Sequence, residues 1–204
     1  MFTSKVESKE LNMKKRFFLL TALLFVSFAS YAKETTAEDI FFNYGGTVEE
    51  KQFIIKAGVG VDFDFIGASL YIPPVGLSAE YTVKCGVAPL GFGLELDYAH
   101  RTITGHSYYD YKYFYNNWHI LTFANYHINV PVEKLDVYAG LKIGALIHSY
   151  QYTYAGTTTD SSGVYGTFEF GAVAGATWYF SEAFGVNLEL GYPFLAKASA
   201  TFKF

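Results

Sequence analysis

The sequence is short of cysteine and of charge, and it lacks long apolar runs. A single cysteine, Cys85, in 204 residues cannot close a disulfide within the chain, so a disulfide-stapled scaffold is excluded. Charged residues make up only 17 % of the chain and the formal net charge is −4. That balance argues against a nucleic-acid or other phosphate-binding surface, which needs a basic face. Low charge combined with 20 % aromatic residues also excludes intrinsic disorder, because disordered chains are rich in charge and poor in rings. Beyond the N-terminal segment, no apolar run approaches the roughly 18 residues that a membrane-spanning helix requires. What is present is Gly 19, Tyr 18 and Phe 20 in an apolar, ring-rich chain.

The N-terminus has the layout of an export signal. Lys14-Lys15-Arg16 form a basic start, Phe17 to Phe28 an apolar core, and Ser30-Tyr31-Ala32 a small-residue cleavage site. Residues 1–32 are therefore expected to be removed. Met13 directly precedes the basic cluster and is an alternative start, which would leave residues 1–12 upstream of the true chain. Residues 33–52 read as a short periplasmic leader that fits no pattern. Residues 53–204 carry the periodic part.

Strict alternation of apolar and polar residues marks strands with two different faces. Eight such stretches are predicted: Phe53–Phe65, Leu77–Cys85, Phe92–Arg101, Trp118–Val130, Leu135–His148, Val164–Phe180, Phe184–Tyr192 and Ala196–Phe204. One face of each is apolar and free of charge. The opposite faces hold Lys56, Asp62, Asp64, Glu80, Lys84, Glu95, Asp97, Arg101, Asp136, Lys142, Glu169, Glu189, Lys197 and Lys203, interleaved with glycines. Small residues mixed with both signs of charge suit a confined polar interior better than a solvated exterior. The pattern predicts an all-β fold, an eight-stranded antiparallel up-and-down transmembrane β-barrel, apolar outside and polar inside. The connections agree. Residues 86–91, 131–134 and 181–183 are short turns, alternating with longer links at 66–76, 102–117 and 149–163, the arrangement of periplasmic turns and outer loops. The fourth outer link, Pro193–Leu195, breaks the trend by being short.

The exported chain, the eight amphipathic strands and the final Phe204 resemble the small eight-stranded outer-membrane proteins of the OmpA/OmpX type. The ending Ala196-x-Ala198-x-Ala200-x-Phe202-x-Phe204 resembles the terminal signal by which the barrel-assembly machinery recognises clients in that group. The resemblance implies a monomer in the outer membrane, surrounded by outer-membrane lipid and a lipopolysaccharide-type surface. It implies that Phe204 is the contact to the assembly machinery. No cofactor, metal or nucleic acid is expected, and an unknown host or surface ligand is left open.

Three groups of residues carry candidate chemistry. The first is the lumen network: Lys56, Asp62, Glu80, Glu95, Asp97, Arg101, Asp136, Lys142, Glu169, Glu189, Lys197 and Lys203. An eight-stranded barrel has room inside only for its own side chains, and buried charges must be paired. A salt-bridged plug is therefore expected, with a gated narrow ion path as the alternative. The second is the histidines. His119 and His127 point inward by parity but lie too far apart along one strand for a shared metal site. His106-Ser107 and His148-Ser149 bear on a lipid A-modifying enzyme, the second alternative. Adjacent residues on a strand point to opposite faces, however, and a nucleophile and its base must be in contact. The third is the tyrosine-rich stretch 108–115, with Tyr108, Tyr109, Tyr111, Tyr113 and Tyr115. It reads either as a loop contact surface for a host ligand, phage or sugar, or as strands continuing above the membrane with their rings in the outer interfacial girdle. The expected function is a non-enzymatic outer-membrane barrel, an envelope component or adhesin acting through its extracellular loops.

Overall fold

The computed structural model describes residues 47–62, 68–85, 88–106, 110–130, 132–154 and 157–204. The signal, most of the leader, Asp64, Tyr108 and Tyr109 lie outside the described residues. Eight strands follow one another: β1 (Phe53–Val61), β2 (Leu70–Cys85), β3 (Ala88–His106), β4 (Asp110–Ile128), β5 (Leu135–Tyr154), β6 (Thr157–Tyr179), β7 (Phe184–Gly191) and β8 (Ala196–Lys203). Each pairs with the next, and β8 pairs with β1, so the sheet is a closed antiparallel barrel. At the seam, Phe53 and Phe204 exchange backbone hydrogen bonds at 3.0 and 2.9 Å. Closure leaves no open edge around the ring, which matters where no water can satisfy a backbone group.

The predicted alternation sets the two faces. Leu94, Leu141, Phe168, Phe170 and Leu188 stand outward and exposed. Lys56, Glu80, Glu95, Asp97, Asp136, Lys142, Glu169, Glu189 and Lys197 are inside and at most 9 % exposed. On β4, outward Tyr126 and Trp118 are eight residues apart, about 27 Å of strand, which at a tilt of about 40° rises roughly 20 Å and so spans most of the apolar band of such barrels. Trp118 packs on outward Tyr98 of β3 at 4.7 Å between ring centroids. Several inward glycines are the floor on which larger neighbours lie. A Cβ at Gly175 would collide with Tyr138, at Gly171 with Tyr192 and at Gly93 with Phe123.

The strands run further than the alternation predicts, mostly on the outer side, with β3 also starting earlier, at Ala88. β3 continues to His106, β4 starts at Asp110, β5 reaches Tyr154 and β6 starts at Thr157. Most of the expected outer loops at 102–117 and 149–163 is therefore paired strand. β2 begins at Leu70, and Pro73-Pro74, placed in a loop by the sequence reading, sits inside it at a register shift between Ile72 and Val75. Beyond Val75 the β1 side of β2 has no ladder partner among the described residues, an edge position where proline's missing N–H costs nothing. By contrast β1, β7 and β8 are only 9, 8 and 8 residues long. A four-stranded wall from β3 to β6 thus rises past the outer ends of its neighbours.

Candidate functional site

The lumen is filled in successive layers. At the periplasmic end the leader supplies a cap. Thr47 to Gln52 cross the mouth, held by Lys51 N–H to the Thr82 carbonyl (2.8 Å), Thr82 N–H to the Gln52 carbonyl (3.0 Å) and the Thr82 hydroxyl to the Glu49 carbonyl (2.6 Å). Val48 is fully buried against Ile54 and Tyr179. Lys203 was expected to meet a carboxylate. Its ammonium instead donates to the Thr47 carbonyl at 2.6 Å and lies 4.6 Å from the centre of the Tyr179 ring. The backbone of the cap reaches it first.

Above the cap, Glu80 lies 3.2 Å from Lys56 Nζ and 3.1 Å from His127 Nε2, while His127 Nδ1 lies 2.8 Å from Asp136. Both ring nitrogens of His127 thus face carboxylates, an arrangement satisfied by an imidazolium with its two N–H donors. Asn125 donates to the same Glu80 oxygen at 3.2 Å, and Lys56 sits 4.1 Å over the Tyr138 ring. In the next layer Lys142 donates to both oxygens of Glu95 at 2.9 Å and also to Glu189. Lys197 bridges Asp97 (2.5 Å) and Glu95 (3.3 Å). The Tyr138 hydroxyl donates to Glu189 at 2.9 Å, with Asn187 donating to Tyr138 at 3.1 Å.

Nearest the outer mouth, Glu169 accepts from the Tyr192 hydroxyl at 2.5 Å and faces His119 Nδ1 at 2.9 Å. Phe194, in the short link between β7 and β8, is 4 % exposed and packs edge-on against His119. That link is short because it folds inward as the outer lid.

Two further members of the predicted network lie toward the outer end. Asp62 accepts from the Tyr71 hydroxyl at 2.9 Å beyond the end of β1. The Arg101 guanidinium lies 4.7 Å over the Tyr115 ring, higher on β3. The network in turn recruits residues that the sequence reading left out: His119, His127, Asn125, Tyr138 and Asn187. Parity was the available signal for the histidines, since it already placed both inside.

The second site is the inner face of the raised wall. Tyr111, Tyr113 and Tyr115 lie on strand β4, not in a loop, and pair directly across the ladder with Tyr154, Tyr152 and Tyr150 of β5. These six rings are on the same parity as the lumen residue His119, so they face the barrel axis and not the lipid; all six are half-buried. Tyr113 and Tyr152 meet at 4.6 Å, Tyr113 and Tyr115 stack at 6.1 Å, and Tyr115 lies 5.6 Å from His148. His148 in turn packs on Tyr165 of β6 at 4.9 Å. The ring of Tyr111 lies over Gly105, and that of Tyr150 over Gly163, where a side chain on either glycine would collide with it.

The outward positions of the same wall are mostly polar. They are His100, Thr102 and Thr104 on β3, Lys112 and Asn116 on β4, Ser149, Gln151 and Thr153 on β5, and Ser162 on β6, with Phe114 and Val164 the exceptions. His100 is tied to Asn116 (2.9 Å) and Thr102 (3.2 Å). His148 and Ser149 point to opposite faces of β5, and His148 is bonded to Asn117. The signal that could have revealed the ladder is the spacing Tyr150-x-Tyr152-x-Tyr154, which repeats Tyr111-x-Tyr113-x-Tyr115.

No protein-family model matches the chain, and no curated protein does. Solved structures similar to it are small membrane barrels. The N-terminal β-barrel domain of Pseudomonas aeruginosa OprF is 18 % identical, with 76 % of this chain and 98 % of that one covered and a TM-score of 0.45. Yersinia pestis Ail, the attachment invasion locus protein, is 14 % identical over 76 % of this chain and 100 % of its own, with a TM-score of 0.45. Neisserial surface protein A is 13 % identical, with coverages of 74 % and 93 % and a TM-score of 0.39. By its own geometry of a closed ring, an apolar belt and a polar interior, the chain is an eight-stranded outer-membrane β-barrel.

Proposed function

We propose that this barrel is a non-conducting envelope protein that acts by surface recognition, and that its working part is the wall raised by β3 to β6. The observation that carries the reading is the tyrosine ladder on the axis-facing side of that wall. Three consecutive Tyr–Tyr pairs above the membrane do nothing for lipid contact, and the barrel below is closed without them. Loops and extensions on a rigid scaffold are where recognition residues concentrate, and tyrosine offers rigid, amphipathic contact area.

The sealed interior supports the absence of conduction. Lids formed by Thr47–Gln52 and by Phe194 bracket a lumen whose described lysines each have a partner. An ion path would require both lids and the Lys142 and Lys197 pairs to move together. The divergent directions of His148 and Ser149 weigh against a His–Ser hydrolytic pair on β5. In this reading the barrel is a monomer in outer-membrane lipid, inserted by the assembly machinery through Phe204.

The test is a wall-shortened variant in which 103–113 and 152–161 are replaced by tight turns, displayed on cells beside the wild type. The variant is expected to remain a folded, heat-modifiable barrel and to lose adhesion to host cells and matrix. Adhesion equal to wild type would overturn the reading. Stable porin-sized current from the refolded wild type in planar bilayers would overturn the seal.

A further inference from the structure

We infer that the tyrosine ladder is a binding platform for an uncharged oligosaccharide. The inference rests on the surface-recognition reading and names the ligand class of that same face.

Four observations converge. First, the polarity of β4 and β5 inverts at the membrane boundary. Below it, rings and aliphatic groups face out and charges face in; above it, Lys112, Asn116, Ser149, Gln151 and Thr153 face out beside Phe114 and the tyrosines face in, while neighbouring β6 and β2 keep Val164, Leu70 and Ile72 outward. An aromatic face turned toward the barrel axis is not a lipid girdle. Second, the space in front of it is open on the side of β7, β8 and β1: β7 ends at Gly191, β8 starts at Ala196 and β1 ends at Val61, while β2 rises only to Leu70, level with Thr102 and Phe114. Tyr165, at the edge of the face, is 52 % exposed.

Third, the six paired rings are all tyrosine, in a chain whose lipid-facing rings are largely phenylalanine. A phenol ring carries a negative π face and a hydroxyl that both donates and accepts. A pyranose is its complement, with C–H bonds on the ring face and hydroxyls around the rim. Rows of rings along β4 and β5 recur every two residues, roughly 7 Å, so three rows span a short run of sugar units.

Fourth, the face carries little charge, in contrast to the lumen directly beneath it. Its described charged side chains are Arg101, laid flat on Tyr115, and Asp62, bonded to Tyr71 at the margin. A polyanion would find one guanidinium. A protein partner would be expected to seek an apolar pocket at the centre of its contact, and here Ile103, opposite Tyr113, is the aliphatic residue among the rings.

The experiment uses the refolded full barrel in nanodiscs and saturation-transfer NMR with millimolar maltoheptaose, chitopentaose, mannopentaose and galactan oligosaccharide, with a heparin oligosaccharide and an unstructured peptide as controls. At least one neutral sugar is expected to bind. The Tyr113→Ser/Tyr152→Ser double variant is expected to lose about tenfold or more in affinity. Tyr113→Phe/Tyr152→Phe keeps the rings and is expected to retain most of it, which separates stacking from a folding defect. Gln151→Ala, on the opposite face, is expected to bind as wild type. Failure of all four neutral sugars, binding of heparin or peptide alone, or undiminished binding by the folded double serine variant would each overturn the inference. Measuring cell adhesion with the same double serine variant separates the two levels. Adhesion lost without any sugar binding removes only the ligand class, whereas adhesion retained removes the recognition reading as well.

Discussion

The membrane-embedded ring and the wall above it are made of the same strands but obey opposite rules. Within the ring, the outward side of β4 reads Trp118, Ile120, Thr122, Ala124, Tyr126, and the inward side His119, Leu121, Phe123, Asn125, His127. Above it, the outward side reads Lys112, Phe114, Asn116 and the inward side Tyr111, Tyr113, Tyr115. The solvent on the convex side changes from lipid to water, and the residues follow. What the difference teaches is that the period of two is a property of the strand, whereas which face is apolar belongs to its surroundings.

Removing a partner inside the ring should have the largest effect. Lys142→Met leaves Glu95 and Glu189 buried without their shared cation, and is expected to destabilise the barrel by about 3–5 kcal/mol; urea unfolding in lipid, followed by the gel shift of the folded form, measures it. A charge on the lipid side comes next. Leu188→Arg, outward on β7, should cost about 2–4 kcal/mol near the midplane. Gln151→Arg, outward on the wall, should cost less than about 0.5 kcal/mol, as exposed substitutions do. Equal penalties at the two sites would place the membrane boundary above Gln151 and break the comparison.

Smaller again is the cap. Val48→Ala removes two methyl groups from the cluster with Ile54 and Tyr179 and should cost about 1–2 kcal/mol. It should also raise protease cleavage near Thr47–Gln52 without changing the unfolding of the strands. The effect of the ladder should stay local to the wall. Tyr113→Ser removes its ring contacts to Tyr111, Tyr115 and Tyr152, each worth about 0.5–1.5 kcal/mol; all lie in the wall, so the midpoint of ring unfolding should be nearly unmoved. A larger loss there would mean that the wall helps hold the ring.

The ring was the legible part. Alternation in Phe184–Tyr192 or Phe53–Phe65 assigns each residue to lipid or lumen with no knowledge of neighbours, and β7 (Phe184–Gly191) and β1 (Phe53–Val61) lie within those bounds. The wall was less legible because the apolar residues keep to one face only within the ring, and on β4 the phase of the ring-bearing face reverses above Trp118. Tyr111, Lys112 and Tyr113 alternate as strictly as any buried strand, yet with the rings on the side that had been polar.

The sequence by itself determined the class, the number of strands and the inward set of charges, because a side-chain period of two and the cost of charge in lipid are local constraints. Only the tertiary structure decided who meets whom. Lys142 reaches Glu95 across 47 residues and Lys197 reaches Asp97 across 100, distances closed by the stagger of eight strands around a ring. The same stagger brings Thr47 to Lys203 and Phe194 to His119, so that a leader without pattern and a four-residue link become the two lids. Stagger is a collective property of closure, and no single strand encodes it.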